Sequence, residues 1–225
     1  MTAPKSEAEL MARARELAGR SLGELAGRLG LAAPPDLRRA KGFAGQLVER
    51  LLGASAGSRA TPDFEALGVE LKTLPVDARG RPLESTFVTT IELREIGEQE
   101  WERSRVRAKL ARVLWVPLEG ERRIPVGDRR LGEPVIWSPS AEEEADLRFD
   151  WEELAGLIGT GDVDRITGHL GRFLQVRPKA AHSRVRRRGI DEDGALIDAM
   201  PKGFYLRTAF TARILRRHFA LPATS

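Results

Sequence analysis

The chain has 225 residues, of which 41% are hydrophobic and none is cysteine, and its formal net charge is +4. This apolar content suffices for one or two packed domains, whereas the lack of cysteine excludes disulfides, thiolate nucleophiles and zinc sites built on cysteine. No run of about 18 apolar residues is present to span a membrane, and the N-terminus MTAPKSEAEL lacks the apolar core of a signal peptide, so we expect a soluble, cytoplasmic protein with no membrane partner.

Three helices are predicted near the N-terminus. SEAE and SLGE each place a serine three residues before a glutamate, which is the capping-box pattern, so helices should begin near Ser6 and Ser21. The second should end around Gly30, and a third should run from Phe43 to Leu52 and stop at the following glycine. The first two are also compatible with a helix-turn-helix, but the proposed recognition helix carries a glutamate and few basic residues, which is poor chemistry for a DNA groove.

Strand-like runs, rich in Val, Ile, Thr, Phe and Leu, follow the third helix. They are GVELKTLPV, STFVTTIEL, RVLWVPL, PVIW, RFLQVRP and GFYLR. Two amphipathic helices are predicted among and after them, one from about Ala141 to Ile158 with a capping box at Ser140 and one from about Thr208 to Phe219. Their predicted core residues are Leu147, Trp151, Leu154, Ile158, Phe210, Ile214 and Leu215.

Charge is distributed unevenly along the chain. Residues 141–164 contain nine acidic residues and one arginine, whereas residues 165–217 contain thirteen Lys or Arg and four acids. A basic region of this kind suits a polyanion such as DNA, because each Lys or Arg placed on a phosphate releases condensed counterions. The segment RVRRRGIDEDG within it is also consistent with a solvated, mobile loop.

The stretch TPDFEALGVELKTLPVD, residues 61–77, carries a candidate catalytic pattern. In a strand, residues two apart share a face, so Glu70 and Lys72 should project together while Leu71 turns into the core. Asp63 lies just before the strand. Two neighbouring carboxylates repel each other unless a cation joins them, and an all-oxygen site suits a hard ion such as Mg²⁺. Such an ion can activate water and neutralise charge on a phosphate, with the lysine beside it as a fixed positive charge.

The same spacing also occurs in strands without catalytic function. In a solvent-facing strand, Glu and Lys two residues apart merely pair across the surface, and such a pair stabilises the fold by less than about 1 kcal/mol. The spacing of an aspartate followed by Glu-x-Lys does not by itself distinguish a catalytic metal site from a surface ion pair.

The wider sequence resembles the MutH family, the strand-nicking endonucleases of methyl-directed mismatch repair. The resemblance begins with KGFAGQLVERLLGASAGSRATPDFEALGVELKTLPVDARGRPLESTFV, Lys41 to Val88. It continues, in the family's order and spacing, through VRAKLARVLWVPLEGERRIP, IWSPSAEEEADLRFDWEEL, LQVRPKAA and PKGFYLRTAFTARILRRHF. Several unrelated blocks therefore agree over nearly the entire chain.

The resemblance implies an α/β fold of the restriction-endonuclease type, with a mixed sheet flanked by helices and two lobes around a DNA cleft. Residues 1–225 would form one endonuclease domain with two lobes. The implied activity is Mg²⁺-dependent nicking of the unmethylated strand of double-stranded DNA at hemimethylated GATC, leaving a 5′-phosphate; Mn²⁺ or Ca²⁺ would fit the same metal site. The implied partners are MutL, which activates the enzyme, and indirectly MutS, and we expect a monomer.

Matched position by position, the family's motifs imply two sets of site residues. The catalytic set is Glu49, Asp63, Glu70, Lys72 and Lys109, and the metal ligands within it are Asp63 and Glu70, with the Leu71 carbonyl as a candidate third ligand. The DNA-contacting set is Lys41, Phe87, Arg177, Pro178, Lys179 and Tyr205. The Arg-Pro-Lys segment matches a loop in the major groove, where an arginine forks to a guanine edge, and the tyrosine matches the residue that senses adenine methylation.

Without the family, several of these residues have ordinary explanations. Glu49 and Lys109 are charged positions on helical segments, and a phenylalanine in a strand is more often core. Arg177 and Lys179 would serve equally as a phosphate clamp, and Tyr205 as a half-buried hydroxyl.

The sequence departs from the family mainly in HSRVRRRGIDEDGALIDAMPKG, which carries four arginines. Two other functions remain open. One is a GATC-specific restriction enzyme of the same fold that breaks both strands without MutL. The other is a noncatalytic DNA-binding protein, against which the intact set of five catalytic residues argues.

Overall fold

The computed structural model describes residues 2–36, 40, 42–55, 61–91, 96, 99–160, 166, 169–179, 187–190, 196–199 and 202–219. The helices are α1 (Glu7–Leu17), α2 (Leu22–Arg28), α3 (Phe43–Leu52), α4 (Arg105–Leu110), α5 (Ala141–Gly159) and α6 (Thr208–Phe219). The strands are β1 (Glu70–Val76), β2 (Thr86–Thr90), β3 (Val113–Glu119), β4 (Val135–Trp137), β5 (Leu174–Pro178), β6 (Arg187–Ile190), β7 (Leu196–Ala199) and β8 (Lys202–Leu206).

The chain divides into two compact units, each discontinuous in sequence. The first consists of Met1–Glu84, Ala111–Ser138 and Ala212–Ser225, and the second of Ser85–Leu110 and Pro139–Thr211. The interpretation of residues 1–225 as one domain with two lobes stays a prediction. No helix in the described ranges is long and apolar enough to cross a bilayer.

Local capping signals define the helices of the first unit. The Ser21 hydroxyl accepts a hydrogen bond from the Glu24 N–H, and the Glu24 carboxylate accepts one from the Ser21 N–H, which completes the predicted capping box of α2. α3 ends at Gly53 in a left-handed conformation with φ 78°, and a Cβ there would collide with the backbone of Thr2. The predicted bounds of α3 are therefore confirmed.

A mixed sheet lies in the first unit, as the fold class predicted. Its strand order is β1-β3-β4, with β1 parallel to β3 and β3 antiparallel to β4. One hydrophobic cluster joins residues of α1, α2 and α3 with Val69 and Leu71 at the start of β1 and with residues of β3. Leu71 is 4% exposed, so the side of β1 that carries it is anchored in this core.

The second unit contains an antiparallel sheet that the sequence did not predict as a separate sheet. Its order is β2-β8-β5, and Tyr205 in the central strand pairs with Phe87 on one side and Gln175 on the other. α5 begins with the predicted capping box at Ser140, and its predicted stripe is buried, which confirms that helix. Leu174 and Val176 of β5 and Phe204 and Leu206 of β8 are buried as well.

The loop interpretation of RVRRRGIDEDG is wrong for residues 187–190. This part of the chain is the strand β6, and each of its residues pairs antiparallel with a residue of β7. Each strand has only four residues, and a run of this length is too short for its sequence pattern to reveal a strand. The two strands are defined by the pairing of their backbones.

The start of β5 is fixed by a buried carboxylate. Asp150 on α5 is 2% exposed. Its Oδ1 accepts a hydrogen bond from the Arg172 N–H at 2.8 Å, and its Oδ2 accepts from the N–H groups of Phe173 at 2.6 Å and Leu174 at 2.8 Å. Because three backbone donors converge on one charged group, this aspartate determines how the chain enters β5.

Arg207, directly after β8, is a positively charged residue that fixes the same loop through its carbonyl groups. Its guanidinium donates to the carbonyl oxygens of Leu170 at 2.9 Å and Gly171 at 3.0 Å. Gly171 has φ 75°, and a Cβ at this position would collide with the Leu174 carbonyl. The loop before β5 is thus held by an anion on its N–H groups, a cation on its carbonyls and a glycine that permits the turn.

We expect Asp150→Asn to lower the free energy of unfolding by about 3 kcal/mol, since the amide nitrogen would replace an acceptor and face backbone donors left without a partner. Urea unfolding followed by circular dichroism measures this loss. Glu152→Gln, on the same helix in an exposed pair with Arg148, is the matched control and should change stability by less than about 0.5 kcal/mol. Coincident curves for Asp150→Asn and wild type would contradict the anchoring role.

Candidate active site and nucleic-acid-binding residues

Glu70 and Lys72 leave β1 on the same face, as the strand pattern predicted. The Lys72 Nζ lies 2.6 Å from the Glu70 Oε1. The carboxylate of this pair is buried, since Glu70 is 2% exposed, and the Lys72 side chain is largely covered at 14% exposure. A buried carboxylate destabilises the fold unless a cation and hydrogen bonds compensate for its lost hydration. The interpretation as a solvent-facing surface pair is therefore wrong.

Asp63 is brought to the same strand by a tight reversal of the chain. Phe64 and Val69 form an antiparallel bridge, and Gly68 adopts φ 64° within the turn between them. The Asp63 Oδ2 consequently accepts a hydrogen bond from the Leu71 N–H at 2.8 Å. Asp63 is 7% exposed, so a second buried carboxylate lies beside the backbone that separates Glu70 from Lys72.

α3 places Glu49 on its side facing β1. A Cβ built at Gly45 would stand 3.7 Å from the Thr73 Oγ1 and 3.8 Å from the Glu49 Oε1, so helix and strand approach closely at this glycine. After the helix ends, the Ser55 N–H donates to the Asp63 carbonyl at 3.0 Å. Glu49 is half-buried and lies between these two points along the chain. It is thus not the fully exposed helix position that its local sequence suggests.

The donor set at β1 fits a hard divalent cation. Asp63 and Glu70 supply carboxylate oxygens, and the Leu71 carbonyl is a further oxygen donor on the chain between Glu70 and Lys72. Within the part of the chain that the structure describes, no three or more His, Cys, Asp or Glu side chains are grouped to hold a metal ion. Two carboxylates and one carbonyl fit Mg²⁺, which retains several waters when it binds to proteins.

Lys109, predicted for the catalytic set, and Lys41, predicted to contact DNA, both keep their roles as predictions. Lys109 is 8% exposed on α4, in the second compact unit, where the preceding Ser104 hydroxyl accepts from the Arg107 N–H at 3.1 Å. Its part in the active site stays a prediction. Lys41 lies outside the described residues, and its DNA contact likewise stays a prediction.

Four of the predicted DNA-contacting residues form one cluster on the β2-β8-β5 sheet. The rings of Phe87 and Tyr205 pack edge to face with centroids 5.3 Å apart. The Arg177 guanidinium lies 5.8 Å from the Tyr205 ring centroid, and the Lys179 ammonium lies 4.1 Å from that of Phe87. Two exposed cations are therefore arranged over two adjacent aromatic rings, which is chemistry suited to phosphates and base edges.

The close approach of Phe87 to β8 requires a glycine. A Cβ at Gly203 would stand 2.8 Å from the Phe87 ring and 3.0 Å from the Thr89 carbonyl. Pro178 pairs with Lys202 at the exposed end of β5. The motif GFYL thus supplies Tyr205 and, through Gly203, the space that the Phe87 ring occupies.

Tyr205 is held as a neutral phenol. Burial raises the pKa of its hydroxyl, and the nearby Arg177 charge lowers that pKa in part. A tyrosine hydroxyl is already protonated at neutral pH at its usual pKa of about 10, so it is a hydrogen-bond donor here with or without this shift.

Sequence reasoning did not single out two polar residues of this sheet. Gln175 is 6% exposed and donates through Nε2 to the Ser85 Oγ at 2.8 Å. Its signal in the sequence was a lone amide within the apolar run RFLQVRP. Thr90 accepts a hydrogen bond from Lys179, and nothing in TFVTT distinguishes it from its neighbour Thr89.

Comparison with known proteins identifies close relatives over nearly the full chain. The sequence model of the family described as "DNA mismatch repair enzyme MutH" matches residues 52–150. The chain is 55% identical to the DNA mismatch repair protein MutH of Klebsiella pneumoniae over 218 residues, which are 97% of this chain and 94% of that protein. It is 54% identical to the protein of the same name from Citrobacter koseri and 55% identical to that from Salmonella paratyphi C, each over 98% of this chain and 96% of the relative.

Proposed function

Because the chain belongs to the MutH family of DNA mismatch repair enzymes, we propose that it is a Mg²⁺-dependent endonuclease that nicks the unmethylated strand at hemimethylated GATC sites. The observation that carries this proposal is the arrangement of the buried Glu70 and its partner Lys72 on β1, with the buried carboxylate of Asp63 bonded to the Leu71 N–H between them. Two carboxylates and an ammonium group gathered at one strand combine a cation site with a fixed positive charge, which are the requirements for hydrolysis of a phosphodiester.

Asp63, Glu70 and the Leu71 carbonyl would hold the Mg²⁺ ion, and Mn²⁺ or Ca²⁺ would fit the same oxygens. When bound, the ion lowers the pKa of a water molecule and neutralises charge on the scissile phosphate. Lys72 orients the attacking water and stabilises the negative charge of the pentacovalent phosphate. The water oxygen forms a new bond to phosphorus while the bond to O3′ breaks, and one proton of the water ends on O3′, which leaves a 5′-phosphate and a 3′-hydroxyl.

Glu49 and Lys109 complete the proposed catalytic set. Glu49 is supported by its half-buried position on the side of α3 that faces β1. Lys109 is supported by its burial as a charged residue, which is uncommon without a functional or structural partner.

The cluster of Phe87, Arg177, Lys179 and Tyr205 is proposed to bind and discriminate double-stranded DNA. Arginine forks to the O6 and N7 atoms of guanine, which GATC supplies on both strands. The rigid Tyr205 ring, packed against Phe87, would meet an N6-methyl group on adenine as added bulk. Pro178 and Lys41 are proposed as flanking DNA contacts.

We further propose that the enzyme acts as a monomer and is activated by MutL after MutS has bound a mismatch. Membership of a mismatch repair family supports these partners. A slow nicking rate without an activator would suit an enzyme that must cut only the newly made strand.

The test is strand-resolved cleavage of short duplexes carrying unmethylated, hemimethylated or fully methylated GATC, with Mg²⁺ or EDTA and with or without MutL. We expect nicking of only the unmethylated strand, only with the metal ion and faster with MutL. Efficient breakage of both strands without MutL would instead identify a restriction enzyme of the same fold. DNA binding without any cleavage would show that the two carboxylates have another role.

A further inference from the structure

β2 contains a bulge that changes which of its side chains share a face. Phe87 pairs with Tyr205 and Thr89 pairs with Phe204, so Val88 is an extra residue opposite β8. In a regular strand, residues three apart point to opposite faces, but one extra residue shifts the alternation by one position. Thr90 pairs with Gly203, which lies on the same face as Tyr205, so Phe87 and Thr90 share the face of the DNA-binding cluster.

On this face Lys179 is held at two points. Its Nζ donates a hydrogen bond to the Thr90 Oγ1 at 2.7 Å and lies 4.1 Å from the Phe87 ring centroid. The ring is itself fixed, because it packs against Tyr205 and lies over Gly203, where a Cβ would be 2.8 Å away. An exposed lysine ordinarily samples many rotamers, whereas this one has its ammonium group directed by a hydroxyl and an aromatic face.

We propose that Thr90, brought to this face by the Val88 bulge, is a positioning residue that orders Lys179 before DNA binds. The inference rests on the proposed function, in which Lys179 contacts GATC-containing DNA. An ammonium group that is already placed loses less conformational freedom on binding, so the same contact contributes more to affinity. Thr90 acts through Lys179 and does not touch the reacting phosphate, so it should affect DNA affinity and leave the chemical step unchanged.

The experiment compares Thr90→Val, Thr90→Ser, Lys179→Met and the double variant Thr90→Val/Lys179→Met. Binding of a fluorescent hemimethylated GATC duplex is measured by anisotropy at fixed salt in EDTA, and nicking at saturating DNA is measured with Mg²⁺. Valine keeps the shape of threonine without the hydroxyl, so we expect Kd to rise about threefold to tenfold. Serine keeps the hydroxyl, so Thr90→Ser should bind the duplex with a Kd near the wild-type value. In the Lys179→Met background, Thr90→Val should not raise Kd further. Thr90→Val alone should leave the nicking rate at saturating DNA unchanged.

The outcomes separate this inference from the proposed function. A Lys179→Met variant that binds as tightly as wild type would refute the DNA contact itself. If Lys179→Met weakens binding but Thr90→Val does not, or if the two effects multiply in the double variant, the positioning role is overturned. Melting temperatures of all four variants are measured in parallel, and Thr90→Ala, which also lacks the hydroxyl, replaces valine if the latter melts lower.

Discussion

Asp63→Asn should reduce the nicking rate by at least about 10²- to 10³-fold while folding and DNA binding stay close to wild type. Asparagine retains a carbonyl oxygen that can accept the Leu71 N–H, now bonded to the Asp63 Oδ2 at 2.8 Å, so the turn before β1 is preserved. It lacks the negative charge and one ligand oxygen, so the proposed cation site is weakened. Single-turnover nicking of a hemimethylated duplex, with Kd measured on the same DNA, separates catalysis from binding.

Glu65→Gln is the matched control for this substitution. Glu65 is exposed in the turn between Asp63 and β1, so loss of its charge should leave the nicking rate within about twofold of wild type. Nicking by Asp63→Asn at the wild-type rate would contradict the assigned role. Loss of binding together with cutting, accompanied by a lower melting temperature, would indicate a folding defect instead.

Lys72→Ala should also reduce nicking by about 10²- to 10³-fold, and it should destabilise the protein as well. Its ammonium group is 2.6 Å from the carboxylate of Glu70, which is 2% exposed, so removal leaves a buried anion without this cation. Breaking a buried pair in this way costs about 3 kcal/mol or more. A Mg²⁺ ion held by Glu70 would offset part of this cost, so Mg²⁺ should raise the melting temperature of Lys72→Ala more than that of wild type.

Lys72→Arg distinguishes the two effects of the lysine. Arginine retains the positive charge beside Glu70, so stability should stay near wild type, whereas its planar guanidinium cannot present one ammonium group to the attacking water and nicking should remain low. Wild-type stability of Lys72→Ala would show that Glu70 does not depend on this lysine. Wild-type nicking by Lys72→Ala would exclude Lys72 from catalysis, whereas wild-type nicking by Lys72→Arg would show that only its positive charge is needed.

Helix bounds could be predicted from the sequence because their signals are local. The capping box at Ser21, the one at Ser140 and the glycine after Leu52 involve backbone groups only three to five residues away. The shared face of Glu70 and Lys72 follows from the two-residue period of a single strand. The family resemblance then added the fold type and the remaining candidate site residues, which no local pattern contains. The similarity to the relatives confirms the family.

Burial of the candidate site could not be predicted in the same way. Asp63 and Glu70 are buried because β3 pairs beside β1 and a hydrophobic cluster assembles around Leu71, and the residues involved are far apart along the chain. The carboxylate of Asp150 likewise meets the backbone of residues 172–174 only in the folded unit. Long-range packing decides which charged residues lose contact with water, and the sequence pattern records their type but not their surroundings.

The sequence by itself determined the positions of α1, α2, α3, α5 and α6, the shared face of Glu70 and Lys72 on β1, the basic C-terminal region and the family. Only the tertiary structure decided that β6 and β7 pair, that a second sheet gathers Phe87, Arg177, Lys179 and Tyr205, and that Thr90 joins them. Strand register and bulges depend on which residue of a distant strand lies opposite, and a one-residue change reverses every side chain beyond it. For this reason TFVTT alone could not indicate that its last threonine shares a face with its phenylalanine.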